Sequence, residues 1–181
     1  MKLLGISGSL RTASSNTAIL RAIATLVPKE IDYSIYDGMN DLPHYSPDID
    51  DDRSPTSVIQ FRSLLKEADG IVISTPEYAY GMPGVLKNAL DWTVSSGEFY
   101  KKPVVAISAS PSWLGGDKAR VSLLMTLTAM NSTIVDEGSF TIPFIRKKVN
   151  ENGEIADRET IELLRSSLNA LVKKIKTRST P

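Results

Sequence analysis

The stretch KLLGISGSLRTASSNTAIL, residues 2–20, predicts the first structural unit of the chain. Residues 2–7 form a short, mainly apolar run that ends at serine and glycine, which is typical of a buried strand. A loop of glycine and hydroxyl side chains follows. From residue 15 apolar residues recur at helical spacing until Pro28, which ends the helix. The stretch therefore indicates a strand, a polar loop and a helix in succession, the repeating unit of an α/β protein.

The same unit recurs along the rest of the chain. Further strands are predicted at 31–37, 70–75, 103–109 and, more weakly, 133–140, and further helices at about 54–66, 83–95, 117–130 and 157–176. The runs at 70–75 and 103–109 are nearly continuously apolar, as in central strands of a parallel sheet covered on both faces. We therefore expect one doubly wound α/β domain over residues 1–181.

Composition excludes several classes of function. Lysine plus arginine equals aspartate plus glutamate, 21 each, so no broad basic field is expected for nucleic acid or a membrane surface. With no cysteine and a single histidine, His44, the chain offers no disulfide, thiol catalyst or cysteine-bearing zinc site, and no metal site is expected. No segment resembles a signal peptide or is apolar enough to span a membrane, so we expect a cytoplasmic protein.

Three polar loops follow predicted strands at one edge of the sheet. They are residues 7–16, 75–83 and 108–116, and each is rich in glycine, serine, proline or aromatic residues. Ligands of open α/β sheets bind beyond the carboxyl ends of the strands, near the point where the strand order reverses. The three loops therefore predict a binding site at this edge.

The first loop has the composition of a phosphate site. Ser9, Ser14 and the Asn16 amide can donate hydrogen bonds, and Arg11 supplies a permanent charge beside a helix N-terminus. The chain lacks both G-x-x-x-x-G-K-[ST] and G-x-G-x-x-G, so a single terminal phosphate is favoured over a triphosphate or a dinucleotide. The alternative is a plain helix cap provided by Ser14, Ser15 or Asn16.

The second loop lies within STPEYAYGMPGVLKNALDW, residues 74–92. Pro76 stiffens the strand exit, and Glu77, Tyr78 and Tyr80 follow on a loop that prolines and glycines constrain. Such a loop can frame a flat heterocycle, with backbone groups meeting its polar edge. The alternative is a tight turn whose aromatic side chains pack on the core.

These motifs resemble those of the NADPH-dependent FMN reductase family, a flavodoxin-like group that includes quinone, chromate and azo reductases. The matching blocks are GSLRTASSN (8–16), TPEYAYGMPGVLKNALDW (75–92) and SASPSWLGGDKAR (108–120). The order of predicted strands and helices agrees over essentially the whole chain. The resemblance implies a flavodoxin-like, doubly wound, five-stranded parallel sheet of strand order 2-1-3-4-5 with helices on both faces.

The resemblance also implies three groups of contacts with FMN. The FMN phosphate would be bound by the first loop, through Ser9, Arg11, Ser14 and Asn16. The isoalloxazine ring would be lined by the second loop, through Pro76, Glu77, Tyr78 and the backbone of Ala79. The other side of the ring would be flanked by the third loop, through Ser108, Ser110, Gly115 and Gly116. Tyr80 and Trp113 are expected to contact the substrate.

The chain departs from the family pattern at three positions. Ala79 stands where the family commonly has asparagine, Gly81 where it often has serine, and Trp113 where many relatives have a smaller residue. Loss of the asparagine side chain removes one polar group from the pocket, but a backbone N–H of Ala79 can still reach the flavin edge.

The activity implied by the resemblance is hydride transfer from NADPH or NADH to bound FMN, and then reduction of a quinone, azo compound, metal oxyanion or second flavin. FMN carries the chemistry, so no side chain is expected to act as a catalytic acid or base. A single cleft implies ping-pong kinetics. Two alternatives remain open: a flavodoxin-type electron carrier, and an FMN-binding module that has lost catalysis, which Ala79 favours.

The predicted helix at 117–130 is more apolar than burial of one side requires. Val121, Leu124, Met125 and Thr128 share one face, and Leu123, Leu127 and Met130 supply another. One face on the sheet and one on a partner subunit would explain this pattern. The resemblance likewise implies a homodimer or homotetramer, and the alternative is that both faces pack within one chain.

The charged stretch RKKVNENGEIADRE, residues 146–159, contains an Asn-Gly dipeptide at 152–153. This dipeptide is typical of a tight turn between short strands. We predict a turn there and assign the stretch no chemistry.

Overall fold

The computed structural model describes residues 1–178, whose strands form a parallel sheet; residues 179–181 of the expected domain lie outside the described residues. The strands are β1 (Lys2–Ser7), β2 (Asp32–Tyr36), β3 (Gly70–Thr75), β4 (Pro103–Ala109), β5 (Thr133–Ile134) and β6 (Thr141–Ile142). Their order is β2-β1-β3-β4-β5, β6 also pairs with β4, and every pairing is parallel. The expected strand order 2-1-3-4-5 is confirmed.

Helices cover both faces of this sheet. They are α1 (Ser15–Leu26), α2 (Thr56–Glu67), α3 (Gly84–Asp91), α4 (Asp117–Ala129) and α5 (Arg158–Arg178). Buried apolar side chains of α2, α3 and α4 pack with one face, and those of α1 and α5 pack with the other. The doubly wound arrangement is therefore confirmed, and it buries every residue of β3 and β4.

Helix α3 ends at Asp91, about one turn earlier than the periodicity predicts. Trp92 is fully buried, and its indole N–H donates to the carbonyl of Pro43 (2.8 Å). The Trp92 carbonyl accepts a hydrogen bond from Arg62 Nε (2.7 Å). Because the ring and the carbonyl both bind distant segments, the chain leaves the helical path here.

In place of the last predicted strand, 133–140, the chain forms β5 at its start, a one-turn 3₁₀ helix at Asp136–Gly138, and β6 just beyond its end. The sheet therefore has six strands where five were expected. The edge of β4 stays hydrogen-bonded across the gap, because Ser139 Oγ accepts from the Ala106 N–H (3.0 Å) and donates to the Val135 carbonyl (2.8 Å). The Ser139 hydroxyl thus takes the place of one backbone hydrogen bond between strands. Hydrophobic patterning does not reveal such a substitution.

The predicted turn at 152–153 is confirmed. Val149 and Ile155 form an antiparallel bridge across it, and Gly153 has a positive φ of 78°. No helix within residues 1–178 combines the length and the apolar character that crossing a membrane requires.

Candidate functional site

The three polar loops meet at the carboxyl ends of β1, β3 and β4, which are neighbours in the sheet. Between the loops lies a cavity of about 170 Å³. It is lined by eight of the twelve residues expected to contact the cofactor: Ser9, Arg11, Ser14, Asn16, Pro76, Glu77, Tyr78 and Ser110. The topology therefore brings together residues that are separated by up to about 100 positions in the sequence.

The first loop carries backbone N–H groups that have no protein partner, and its residues 14–16 line this cavity. No acceptor within the described chain pairs with the backbone N–H groups of residues 12–16, the last two of which begin α1. The Ser14 hydroxyl accepts from the Thr17 N–H (3.3 Å), so Ser14 caps the helix as the alternative interpretation expected. Free N–H groups at a helix N-terminus are the usual partners of a phosphate.

Asn16 is buried, and its side chain connects two strands. Its amide Nδ2 donates to the Ala109 carbonyl (3.3 Å) at the end of β4, and its Oδ1 accepts from Ser74 Oγ (2.9 Å) in β3. The amide thus holds the first loop against both strand ends. Contact between this side chain and a phosphate stays a prediction.

Glu77 holds the second loop against α4. Its carboxylate accepts hydrogen bonds from the backbone N–H groups of Lys118 (2.9 Å) and Ala119 (3.1 Å). Gly116 at the N-cap position has no side chain to serve this purpose, so Glu77 caps the helix from another loop. The carboxylate borders the cavity but is already bound.

The second loop folds into a two-residue turn. Tyr78 and Gly81 exchange both backbone hydrogen bonds (3.0 Å each), and the central residues Ala79 and Tyr80 have positive φ of 48° and 61°. This conformation strains residues other than glycine, asparagine or aspartate. The N–H groups of Ala79 and Tyr80 have no acceptor within the described chain, so both are available to a ligand.

Of the four residues predicted from the third loop, one lines the cavity and three do not. Ser110 lines the cavity. Ser108 is fully buried and donates its hydroxyl to the Gly115 carbonyl (3.0 Å), which places it behind the cavity wall. Gly115 and Gly116 have positive φ of 63° and 84°, and a Cβ on Gly115 would lie 2.8 Å from the backbone carbon of Ile142. Direct contact of Ser108, Gly115 and Gly116 with a ring stays a prediction.

Tyr80 and Trp113 are the most exposed aromatic residues in these loops. Their exposed fractions are 80% and 72%, and neither borders the cavity. Both lie on segments that frame it, so contact with a substrate stays a prediction.

Sequence reasoning missed Arg146 and Ile145, which also line the cavity. Both belong to the segment after β6, where Phe144 N–H donates to the Ser112 carbonyl (3.2 Å) and Ile145 N–H donates to the Ser110 carbonyl (3.2 Å). No motif marks this segment, and its place beside the third loop depends on pairing between β4 and β6. The only signal was the basic run Arg146–Lys148 at the start of the charged stretch 146–159, to which the sequence assigned no chemistry.

Comparisons with known proteins agree with this geometry. Residues 1–147 match the family model described as NADPH-dependent FMN reductase. An NAD(P)H-dependent FMN reductase of Pseudomonas aeruginosa is 34% identical over 173 residues, which cover 94% of this chain and 93% of the relative. A quinone reductase of Escherichia coli is 29% identical over 174 residues, which cover 94% and 93%.

A solved structure supports the fold over the same length. The flavoenzyme NAD(P)H:(acceptor) oxidoreductase FerB of Paracoccus denitrificans matches with a TM-score of 0.86 and 26% identity, covering 97% of both chains. The family match includes all three loops that build the cavity and all six strands of the flavodoxin-like sheet. The chain therefore belongs to the NADPH-dependent FMN reductase family, as an enzyme with FMN as its cofactor and NAD(P)H as its co-substrate.

Proposed function

We propose that this enzyme oxidises NAD(P)H and reduces a small-molecule acceptor, such as a quinone, an azo compound, a metal oxyanion or a second flavin, in a ping-pong cycle. The observation that carries the proposal is the cavity at the ends of β1, β3 and β4. Residues 14–16, whose backbone N–H groups have no acceptor within the described chain, line it together with Arg11 and Tyr78. Next to Tyr78, the turn residues Ala79 and Tyr80 carry two further free N–H groups.

The residues present fit FMN. Arg11 forms no ion pair within the described chain, so its charge is available to a phosphate. The N–H groups of Ala79 and Tyr80 would meet the polar edge of the ring, where donors stabilise negative charge. The residue that replaces the family asparagine, Ala79, therefore keeps the group that matters for this contact.

The chain's own part in the reaction is to bind and to position. Bound FMN supplies two-electron chemistry between NAD(P)H and an acceptor. The first loop would hold the phosphate, Glu77 keeps the second loop fixed on α4, and the exposed Tyr78 offers a flat surface beside the ring. No side chain in the cavity is assigned a proton-transfer step.

The first experiment is a visible spectrum of the purified protein with FMN, before and after anaerobic addition of NADPH and, separately, NADH. Bleaching of the flavin band by either reductant is expected, followed by recovery of the band on addition of a quinone. A yellow protein that neither reductant bleaches would favour the electron carrier or the binding module. Absence of FMN binding would overturn the proposal.

The second experiment tests the phosphate assignment. Arg11→Ala removes a charge-assisted contact of roughly 1.5–3 kcal/mol, which corresponds to about a 10- to 100-fold loss of FMN affinity. An unchanged FMN titration would refute the role of Arg11. The ping-pong proposal is tested by initial rates at several acceptor concentrations, where parallel reciprocal lines are expected and intersecting lines would contradict it.

We also propose that residues 1–181 act as one FMN-binding domain in a homodimer or homotetramer. In α4 the side chains of Leu123 and Leu127 are fully buried on the sheet, whereas Val121 and Met125 are exposed. This exposed apolar face supports a second copy as the partner. Light scattering that shows a monomer at all usable concentrations would contradict the assembly. The cytoplasmic location stays a prediction.

A further inference from the structure

Arg146 reaches the predicted phosphate cavity from a segment that carries no recognised motif. It lines the same cavity as Ser9, Arg11 and Ser14, although it follows β6 and not β1. In the sheet β1 and β6 lie on opposite sides of the β3–β4 pair. Basic residues therefore border the cavity from both flanks.

The backbone that presents Arg146 is firmly held. The N–H groups of Phe144 and Ile145 bind the carbonyls of Ser112 and Ser110, and the Ile145 side chain is buried. Phe144 adopts a positive φ of 52°, a conformation that persists only where the surroundings enforce it. On the far side, Lys148 Nζ binds Asp157 Oδ2 (2.8 Å) at the start of α5. The backbone at Arg146 is thus held by contacts on both sides, while its side chain is exposed.

The two guanidinium groups of the cavity lack protein counter-ions. Neither Arg11 nor Arg146 takes part in an ion pair within residues 1–178. Among the described residues that line the cavity, Glu77 is the one with a carboxylate, and it accepts hydrogen bonds from the N-terminus of α4. Two cations without protein counter-ions at one cavity, with free backbone donors beside them, match a phosphate monoester, which carries a charge of about −1.5 to −2 at pH 7.

We propose that Arg146 is a second phosphate-binding residue, which acts with Arg11 on the FMN phosphate and makes the site select FMN over riboflavin. This inference rests on the proposed function, because it assigns the occupant of the same cavity. Riboflavin has the same ring and no phosphate, so it gains nothing from either arginine. The NADPH phosphates are a second possible source of the same chemistry, and the experiment separates the two.

The experiment titrates the flavin-free full chain with FMN and with riboflavin, following flavin fluorescence, for the wild type, Arg146→Ala, Arg146→Lys and Lys147→Ala. Lys147 is the matched control, because it is the adjacent exposed cation and does not line the cavity. Arg146→Ala is expected to weaken FMN binding roughly 10- to 100-fold and to leave riboflavin binding within about twofold. Arg146→Lys should recover part of the loss, and Lys147→Ala should bind FMN like the wild type.

Three outcomes would overturn the inference. Arg146→Ala and Lys147→Ala could bind FMN equally well, which would show that Arg146 has no specific role in FMN binding. Arg146→Ala could weaken FMN and riboflavin alike, which would indicate a structural role. FMN affinity could also hold while the KM for NADPH rises, which would assign Arg146 to the co-substrate. If the wild type bound no FMN at all, the proposed function itself would fail, a result distinct from these three.

Discussion

The carboxylate of Glu77 binds the backbone N–H of Lys118, 41 residues further along the chain, at 2.9 Å. This contact joins the loop after β3 to the first turn of α4, and the Ala119 N–H adds a second bond (3.1 Å). Gly116 lies beside this contact, where a Cβ would meet the Glu77 Cβ at 3.4 Å, an ordinary van der Waals distance, and its positive φ of 84° favours glycine. Glu77 therefore fixes the aromatic turn in place relative to the third loop.

Removal of this cap should affect both stability and cofactor binding. Glu77→Ala is expected to lower the free energy of unfolding by about 1 kcal/mol, as for other lost helix caps, and to weaken FMN binding. Glu77→Gln keeps one acceptor oxygen, so its losses of unfolding free energy and of FMN affinity should be smaller. Urea unfolding and FMN titration measure the two effects, with the exposed Glu151→Ala as the charge control. Equal stability of Glu77→Ala and Glu151→Ala would show that the cap contributes nothing.

Ala79 occupies a strained turn position, so its replacement by asparagine should stabilise the protein. A left-handed conformation costs an alanine about 1 kcal/mol, and asparagine tolerates it better. Ala79→Asn is therefore expected to raise the free energy of unfolding by roughly 0.5–1 kcal/mol while keeping the free N–H. The control, Ala24→Asn on the exposed side of α1, should lower it because asparagine is a poor helix former. Changes of the same sign in both variants would contradict the strain argument.

Glycine is required at position 115 for two reasons: the backbone of Ile142 and Pro143 lies close to it, and its φ is positive. Gly115→Ala puts a Cβ within 2.8–2.9 Å of the backbone of Ile142 and Pro143, whereas Gly153→Ala meets only open space at a similar positive φ. In both variants the positive φ should lower the free energy of unfolding by about 1 kcal/mol. Gly115→Ala should lose roughly 1–3 kcal/mol more and bind FMN less tightly, because the third loop must move. If Gly115→Ala and Gly153→Ala lost the same unfolding free energy and the same FMN affinity, the steric effect would be excluded.

Local sequence patterns predicted those parts of the molecule that depend on neighbours along the chain. The apolar run of β3 and the helical spacing of α1 indicate their elements because burial on a sheet has a fixed period. The three polar loops were located because each follows a strand. Their convergence then follows from the rule that ligands bind where parallel strands end.

The parts that could not be predicted depend on partners distant in sequence. The interaction of Glu77 with α4 requires the third loop to be folded, and the place of Arg146 requires β6 to pair with β4. Asn16 shows the same limit, since its amide matches a phosphate loop in sequence and yet binds Ser74 and Ala109 in the structure. Residue type and spacing indicate which groups can donate, but packing decides which acceptors they meet.

Asp157 should make the stability of the protein depend on pH in acid. Hydrogen bonds from Lys148 and Thr160 lower the pKa of Asp157 to about 2, from an ordinary value of 3.8. The carboxylate therefore stabilises the folded state fully above about pH 4, and this contribution is lost as the pH falls through about 2. Asp157→Asn should be less stable than the wild type at pH 7, and the difference should shrink between pH 4 and pH 2. Urea unfolding across this range measures it, with Asp52→Asn on an exposed loop as the control. A difference between Asp157→Asn and the wild type that stayed constant from pH 7 to pH 2 would mean that the stabilisation does not depend on the charge of the Asp157 carboxylate.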